Sequence, residues 1–349
     1  MNHNSFYSIS RSDLSELLQE AELSASHSKA IFSFVYRQIA EKPSLPSRRI
    51  SNFLNKWSRE LPRIITARKS EFDHSWKLVL ELHDQRQIET VIIPEKNRIT
   101  LCVSSQVGCR QACTFCHTGR MGLLRQLRAD EIVAQLMVAR MWLTEQGSSE
   151  TAISNIVFMG MGEPLDNCSE VFQAIKIMTD PAGLAIAPKR ITVSTAGHKD
   201  GILKLIESNL GVGLALSLHA SSEALRRKIM PITKRFPLHE VFSTLEAYSI
   251  KTGKPVFYQY TLISGVNDSP EDAHNLVKLL STKKTAFKVN LIPFNEFSAS
   301  AFKRPNETKI QSFRKILANA NILTIVRYSK GRDIAAACGQ LIKTNIAST

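Results

Sequence analysis

The chain has 349 residues, with 45 lysines and arginines against 31 aspartates and glutamates, giving a formal net charge of +14 and a pI near 9.6. Hydrophobic residues make up 43% and charged residues 22%, an ordinary globular composition that excludes disordered and collagen-like classes. No apolar run is long enough to span a bilayer, and Met1-Asn2-His3-Asn4-Ser5 is not a charged segment leading into an apolar one, so a cytoplasmic protein with no membrane partner is expected. The positive excess points to a polyanionic partner, because lysines and arginines gain affinity for phosphates by releasing condensed counterions.

Taken in chain order, Ser12 and Asp13 can cap a helix carrying Leu14, Leu17, Leu18 and Leu23. A second helix would place Ile31, Phe32, Val35, Tyr36 and Ile39 on one face and end at Pro43 and Pro46. A short apolar segment with Phe53, Leu54 and Trp57 precedes Pro62, and Arg48, Arg49, Arg63, Arg68 and Lys69 surround it. Residues 1–70 thus read as a small helical accessory domain. From Trp76 the period becomes two: Trp76, Leu78 and Leu80 alternate, His83-Asp84-Gln85-Arg86 forms a polar turn, and Ile88 to Ile93 is rich in β-branched residues. Residues 71–94 are therefore expected to be a β-hairpin.

Residues 95–330 repeat an apolar strand followed by a helix. The strands are read at 100–103, 156–159, 191–194, 213–218, 256–263, 289–292 and 323–326, and helical patterns at 130–143, 171–178, 238–248 and 272–280. This alternation predicts an α/β fold, a barrel or partial (β/α) barrel of parallel strands with right-handed crossovers. Active sites of such folds form on the loops after the strands. Polar or glycine-rich residues fall there: Gly160 to Glu163, Ser194-Thr195, Ser217-Leu218-His219 and Pro293-Phe294-Asn295.

Six cysteines in a reducing compartment are expected to be ligands or catalysts. Cys109, Cys113 and Cys116 form a C-x3-C-x2-C loop just after the first barrel strand, a spacing that suits three corners of an iron–sulfur cube with one iron left open. A structural zinc completed by His117 is the competing reading, although the adjacent Cys116 and His117 leave little room around one ion. Cys102 and Cys338 each lie in apolar or alanine-rich surroundings that would suit a packed thiol, but Gly331-Arg332-Asp333 and Gly339-Gln340 frame Cys338 as a segment able to present it. Cys168 matches no motif and is assigned to packing.

The cysteine loop, with Phe115 before its last cysteine, resembles the radical S-adenosylmethionine superfamily. Four flanking motifs narrow the likeness: Leu101 to Cys109, Phe158 to Leu165, Val289 to Asn295 and Ala336 to Leu341 resemble the RlmN/Cfr family of RNA adenosine methyltransferases. Glu163-Pro164 and Pro293-Phe294-Asn295 look like its RlmN branch. The resemblance implies a radical SAM core at 95–330, an RNA-binding role for residues 1–70, and a C-terminal segment, 331–349, that carries the methyl-accepting cysteine.

It further implies a [4Fe-4S] cluster on Cys109, Cys113 and Cys116, and S-adenosylmethionine bound by Gly162, Glu163, Ser194, Ser217, Leu218, His219 and Asn295. Cys338 would carry an S-methyl intermediate, Cys102 would resolve the adduct through a disulfide, and Glu89 would accept a proton. The implied reaction is methylation of C2 of an adenosine in large-subunit (23S) rRNA, and also in tRNA, using two S-adenosylmethionine molecules per turnover. An electron donor such as flavodoxin or ferredoxin is implied as well, and nothing demands an oligomer. Candidate phosphate contacts are Arg120, Arg125, Arg128, Lys189, Arg190, Arg226, Arg227, Lys228, Lys234, Arg235, Lys303 and Arg304. Residues 123–127, 194–197 and 220–222 depart from the family's usual patterns. The alternatives are methylation at C8, a divergent paralogue acting on another RNA, and a radical enzyme with a substrate other than RNA.

Overall fold

The computed structural model describes residues 4–37, 47–148, 153–298 and 300–341, so Ile39, Pro43, Pro46 and the segment after Leu341 lie outside the described residues. Helix α1 (Arg11–Glu20) opens on a capping box in which Ser10 accepts from the Asp13 N–H and Asp13 accepts from the Ser10 N–H. The cap is therefore Ser10 rather than Ser12, and Leu23 lies beyond the helix. Helices α2 (Ser28–Tyr36) and α3 (Arg48–Leu54) follow. Phe6, Tyr7, Phe32 and Tyr36 form an aromatic cluster with ring centroids 4.9–6.1 Å apart. The module is joined to the rest of the protein through Arg11 Nε and Asp180 at 2.8 Å and through Gln173, which donates to Asp13 at 2.8 Å.

Strands β1 (Arg63–Lys69), β2 (Trp76–Glu81), β3 (Gln87–Glu95) and β4 (Arg98–Cys102) pair antiparallel in sequence. The expected hairpin thus has a third strand. Residues 63–69, read as the edge of the helical module, are extended because Ile64-Ile65-Thr66 favours strand geometry and β2 offers an edge to pair with.

After β4 the chain forms β5 (Gln106–Cys109), α4 (His117–Arg120), β6 (Gly122–Gln126) and α5 (Ala129–Glu145). The alternation then runs β7 (Ile153–Phe158), α6 (Cys168–Thr179), β8 (Ile191–Thr195), α7 (Lys199–Glu207), β9 (Gly213–Ser217), α8 (Glu223–Ile229), α9 (Leu238–Thr252), β10 (Val256–Leu262), α10 (Pro270–Ser281), β11 (Phe287–Pro293), α11 (Glu307–Asn319) and β12 (Thr324–Val326). Strands β4, β7, β8, β9, β10, β11 and β12 are parallel neighbours, and the sheet ends at β1 and β12 without closing. The fold is an α/β partial barrel, as expected. β5 and β6 form a separate antiparallel pair.

Leu101, Ile156, Val193, Leu214, Leu216 and Leu291 are buried on one face of the sheet. Complete burial of such side chains contributes about 1.5–3 kcal/mol each. The alternate residues Thr100, Cys102, Thr192, Gln259 and Asn290 line a cavity on the other face. A parallel sheet covered on both faces would be apolar there, so the polar inner face marks the functional side. Among the described residues no helix is long and apolar enough to cross a membrane.

Candidate active site on the cysteine loop and the C-terminal segment

Cys109 is the last residue of β5, and β6 pairs back beside it. Gly108 makes this possible: its φ is +78°, and a Cβ would stand 1.9 Å from the Gly122 carbonyl oxygen. The loop is then fixed from both sides. The Thr114 N–H donates to the Ile229 carbonyl at 3.0 Å, the His117 N–H to Gly339 at 2.8 Å, and the Thr118 hydroxyl to Leu341 at 2.6 Å. Gln111 and His198 both donate to Asp166, at 2.7 and 3.1 Å, which ties the loop to the residues after β7.

Burial pushes the Cys109 thiol up to about 12 and raises Cys113 and Cys116 as well; Cys109 is raised further by Cys116, Cys113 by both of the others, and Cys116 by Cys338. Thiols this close, with burial opposing their ionisation, need a metal's positive charge to become thiolates. Among the described residues no three His, Cys, Asp or Glu side chains converge as ligands of a single ion. In an iron–sulfur cube each thiolate takes its own iron, so that requirement does not apply. His117, the fourth ligand of the zinc reading, stacks flat on Phe297 with centroids 4.6 Å apart. The donor set fits the cluster and not a structural zinc.

All three cysteines open on a cavity of about 150 Å³ that Gly162, Glu163, Ser194, Ser217 and His219 also line. Gly162 has φ +103° and lies so near Gln106 that a Cβ would come within 2.5 Å of it. Gln106 accepts the Glu163 N–H at 2.8 Å, and the Glu163 carboxylate accepts from the N–H groups of Leu165 and Ala196 at 3.1 and 2.7 Å. Burial holds this carboxyl near 7, so a bound ammonium would restore its charge. His219 accepts the Thr261 N–H on Nδ1 at 2.9 Å and meets the Phe115 ring edge-on; burial depresses its basicity to about 3, leaving it neutral. Leu218 is fully buried and does not line the cavity; its N–H donates to the Gln259 carbonyl. Asn295 also lies off the wall, its amide donating to Ser329 at 2.9 Å and to the Cys338 carbonyl at 3.1 Å.

Cys338 is exposed on the C-terminal segment and lines this cavity. Cys102 is buried at the end of β4. Burial and the nearby Cys338 push the Cys102 thiol up to about 12. Glu89 lies on the same sheet face: Val91 pairs with Cys102, and Glu89 is two residues along β3. Its carboxylate forms a fully buried ion pair with Lys77 at 3.1 Å, and Lys77 also donates to the Ala335 carbonyl at 3.2 Å. One lysine therefore links the expected proton acceptor to the loop that carries Cys338.

The radical SAM superfamily profile matches residues 103–277. Curated relatives named dual-specificity RNA methyltransferase RlmN include one from Lawsonia intracellularis, 46% identical over 78% of this chain and 77% of that protein. Another, from Xanthomonas campestris pv. campestris, is 44% identical over 77% of this chain and 69% of that protein. The crystal structure of a radical SAM methyltransferase from Sphaerobacter thermophilus superposes with a TM-score of 0.89 at 36% identity, covering 97% of this chain and 98% of that one. The chain belongs to the RlmN family of radical SAM proteins.

In this RlmN-family chain several candidate phosphate contacts have structural roles instead. Arg226 is fully buried and donates to the Leu218 and Ser217 carbonyls and to the Thr233 hydroxyl, so it braces the chain just after β9. Arg125 is forked onto Glu131 and paired with Asp84, and Arg128 is paired with Asp130. Residues to which sequence reasoning gave no role include Lys77, Gln106 and Gln135, whose amide holds both the N–H and the carbonyl of Ser104.

Proposed function

We propose that the protein is a radical SAM RNA methyltransferase that methylates C2 of an adenosine in large-subunit ribosomal RNA, and in tRNA, through an S-methylated Cys338. The observation that carries this reading is the position of Cys338: it shares one cavity with Cys109, Cys113 and Cys116 and the adjoining one with Cys102. The amidine carbons of adenine are electron-poor, so direct attack on a methyl sulfonium is closed to them.

Cys109, Cys113 and Cys116 would hold a [4Fe-4S] cluster, which with electrons from a carrier such as flavodoxin or ferredoxin would supply the reducing power that turns bound S-adenosylmethionine into a hydrogen-abstracting radical. Glu163, which lines this cavity beside the backbone turn at Gly162, would hold the ammonium of S-adenosylmethionine. The neutral His219 and the hydroxyls of Ser194 and Ser217 offer uncharged contacts on the same wall. The Cys338 sulfur takes the methyl group of one S-adenosylmethionine, releasing S-adenosylhomocysteine and the thiol proton. That methyl then gives a hydrogen atom to the radical from a second S-adenosylmethionine and its carbon joins adenine, linking protein to RNA, and the one electron in excess on the adduct would return to the group held by Cys109, Cys113 and Cys116. Glu89 then accepts the proton of the substituted carbon, and Lys77 keeps that carboxylate in place. Finally the Cys102 sulfur attacks the Cys338 sulfur, which releases the methylated base and leaves a disulfide for external reduction. The Asn295 amide and the Lys77 ammonium hold the backbone of the Cys338 segment during these steps.

The test is nucleoside mass spectrometry of ribosomal RNA and tRNA incubated with the reconstituted protein and deuteriomethyl S-adenosylmethionine. Labelled 2-methyladenosine is expected. Labelled 8-methyladenosine would move the chemistry to C8, and unlabelled RNA beside cleaved S-adenosylmethionine would reject RNA as the substrate.

A further inference from the structure

The inner face of the parallel strands is open at both ends. Beyond the cofactor cavity lies a second chamber of about 620 Å³, walled by residues where β4, β7, β8, β10 and β11 begin. The two spaces meet at Cys338, which lines both together with Met159, Gln259, Ile292 and Leu341. Their charge differs sharply. Among the described residues no lysine or arginine lines the cofactor cavity. The second chamber is lined, among the described residues, by Arg98, Lys189, Arg190, Arg327 and Lys330, all exposed, and by one acid, Glu95, which pairs with Arg98. Deeper in, the wall turns to neutral polar groups, among them Thr100, Thr192 and Asn290.

Exposed aromatic rings stand at this end as well. Tyr328 is 45% exposed on the chamber wall, with the Arg304 guanidinium 5.6 Å over its ring. Phe72, 84% exposed, tips the turn between β1 and β2. That turn is docked on the segment after Lys330 by the Gly331 N–H to Asp73 and the Ser70 hydroxyl to Asp333, both 2.8 Å.

Cations spaced around an opening, with aromatic faces beside them, are the combination that holds single-stranded nucleic acid: the cations track phosphates and the rings stack bases. A base must leave its stack to be modified at an edge. We propose that the RNA docks at the end where the strands begin, opposite the cofactor. Its backbone crosses Lys189, Arg190, Arg327 and Lys330, a flanking base stacks on Tyr328, and the target base passes down the chamber to Cys338. Substrate and cofactor then reach the same sulfur from opposite ends, and RNA can exchange without disturbing the cofactor. An acidic electron-carrier protein would match the charge but has no use for a deep chamber, and it must approach the cysteine loop, which lies on the other cavity. The proposal rests on the reading that RNA is the substrate.

The experiment compares the holoenzyme with two charge-reversal pairs, Lys189→Glu/Arg190→Glu at this rim and Lys228→Glu/Lys234→Glu, exposed beside Met230 at the cofactor cavity. The probe is a fluorescein-labelled single-stranded RNA of mixed sequence with one central adenosine, followed by anisotropy over a salt series. Equilibrium dialysis with S-adenosylmethionine checks that both variants are folded. The first pair is expected to bind RNA about tenfold or more weakly, with a salt slope shallower by about 1.4, since each phosphate contact to a single strand contributes about 0.7. The second pair is expected to stay within about twofold of wild type.

Unchanged affinity in the first pair, or the loss appearing only in the second, overturns the proposal. So does intact RNA binding in the first pair with slowed reduction by flavodoxin, which would assign the rim to an acidic protein. A wild-type holoenzyme that neither binds this RNA nor methylates ribosomal RNA would remove the underlying functional reading, a failure distinct from misplacing the entrance.

Discussion

Replacing Lys77 with Met removes one partner of a buried ion pair and leaves the volume nearly filled. Lys77 and Glu89 are 2% and 1% exposed and 3.1 Å apart, so water cannot take over the lost contact. Breaking such a pair from one side costs about 3–5 kcal/mol, because a buried charge is left uncompensated. The chain has one escape, which is to protonate the carboxyl. For an ordinary glutamate at pH 7.5 that costs about 4 kcal/mol, roughly three pH units at 1.36 kcal/mol each, so the loss should settle near 3–4 kcal/mol. With an unfolding entropy of about 2.1 cal/mol/K per residue over the 349 residues, the melting temperature should fall by about 5 °C. Lys77→Met/Glu89→Gln removes both charges and should recover most of that stability.

Function should separate from stability. With Glu89 protonated, Lys77→Met should still cleave S-adenosylmethionine but accumulate a protein–RNA adduct on denaturing gels, whereas Lys77→Arg should turn over. A Lys77→Met protein with an unchanged melting temperature and no adduct would refute the assignment of the lysine as the group that positions Glu89.

Gly108→Ala should collapse the cysteine loop, since its Cβ would stand 1.9 Å from a carbonyl oxygen at φ +78°; iron per protein after anaerobic reconstitution should fall several-fold, and normal loading would contradict this. Cys102→Ala should leave Cys338 joined to RNA, read as a shifted band that RNase digestion reduces to a nucleotide adduct; free methylated RNA at the wild-type rate would exclude Cys102 as the resolving thiol. His219 gives a pH prediction. Its folded value of about 3 lies below the ~6.5 of a free imidazole, so the unfolded chain takes up a proton that the folded one refuses. Stability should therefore be highest above pH 6.5 and fall by about 1.4 kcal/mol on reaching pH 5.5. His219→Asn should flatten that limb in denaturation measured across pH, and an unaltered slope would show that His219 is not its source.

The rim of the cavity beside the cysteine loop was legible because strand runs end where a polar residue replaces an apolar one, as at Ser194 and Ser217. Leu218 and Asn295 also follow strands, yet one packs inward and the other grips the Cys338 backbone, since position after a strand does not fix direction. Lys77 could not be found this way. In Trp76-Lys77-Leu78-Val79-Leu80-Glu81 it reads as the solvent side of a hairpin strand, and it becomes buried only through a segment 258 residues further along. Arg226 was hidden for a similar reason: in Arg226-Arg227-Lys228 three basic residues look alike, although the first shares a helix face with the buried Ile229. The small β5 and β6 pair carries too few residues, broken by the cysteine loop, to show a period.

The central claim is that the transferred carbon passes through Cys338. Peptide mass spectrometry of the reconstituted protein after incubation with deuteriomethyl S-adenosylmethionine, without RNA, tests it most directly. The account predicts a deuteriomethyl group on the sulfur of Cys338, its absence from the other cysteines, and its loss when RNA is added. RNA methylated at the wild-type rate by a Cys338→Ala protein would contradict it.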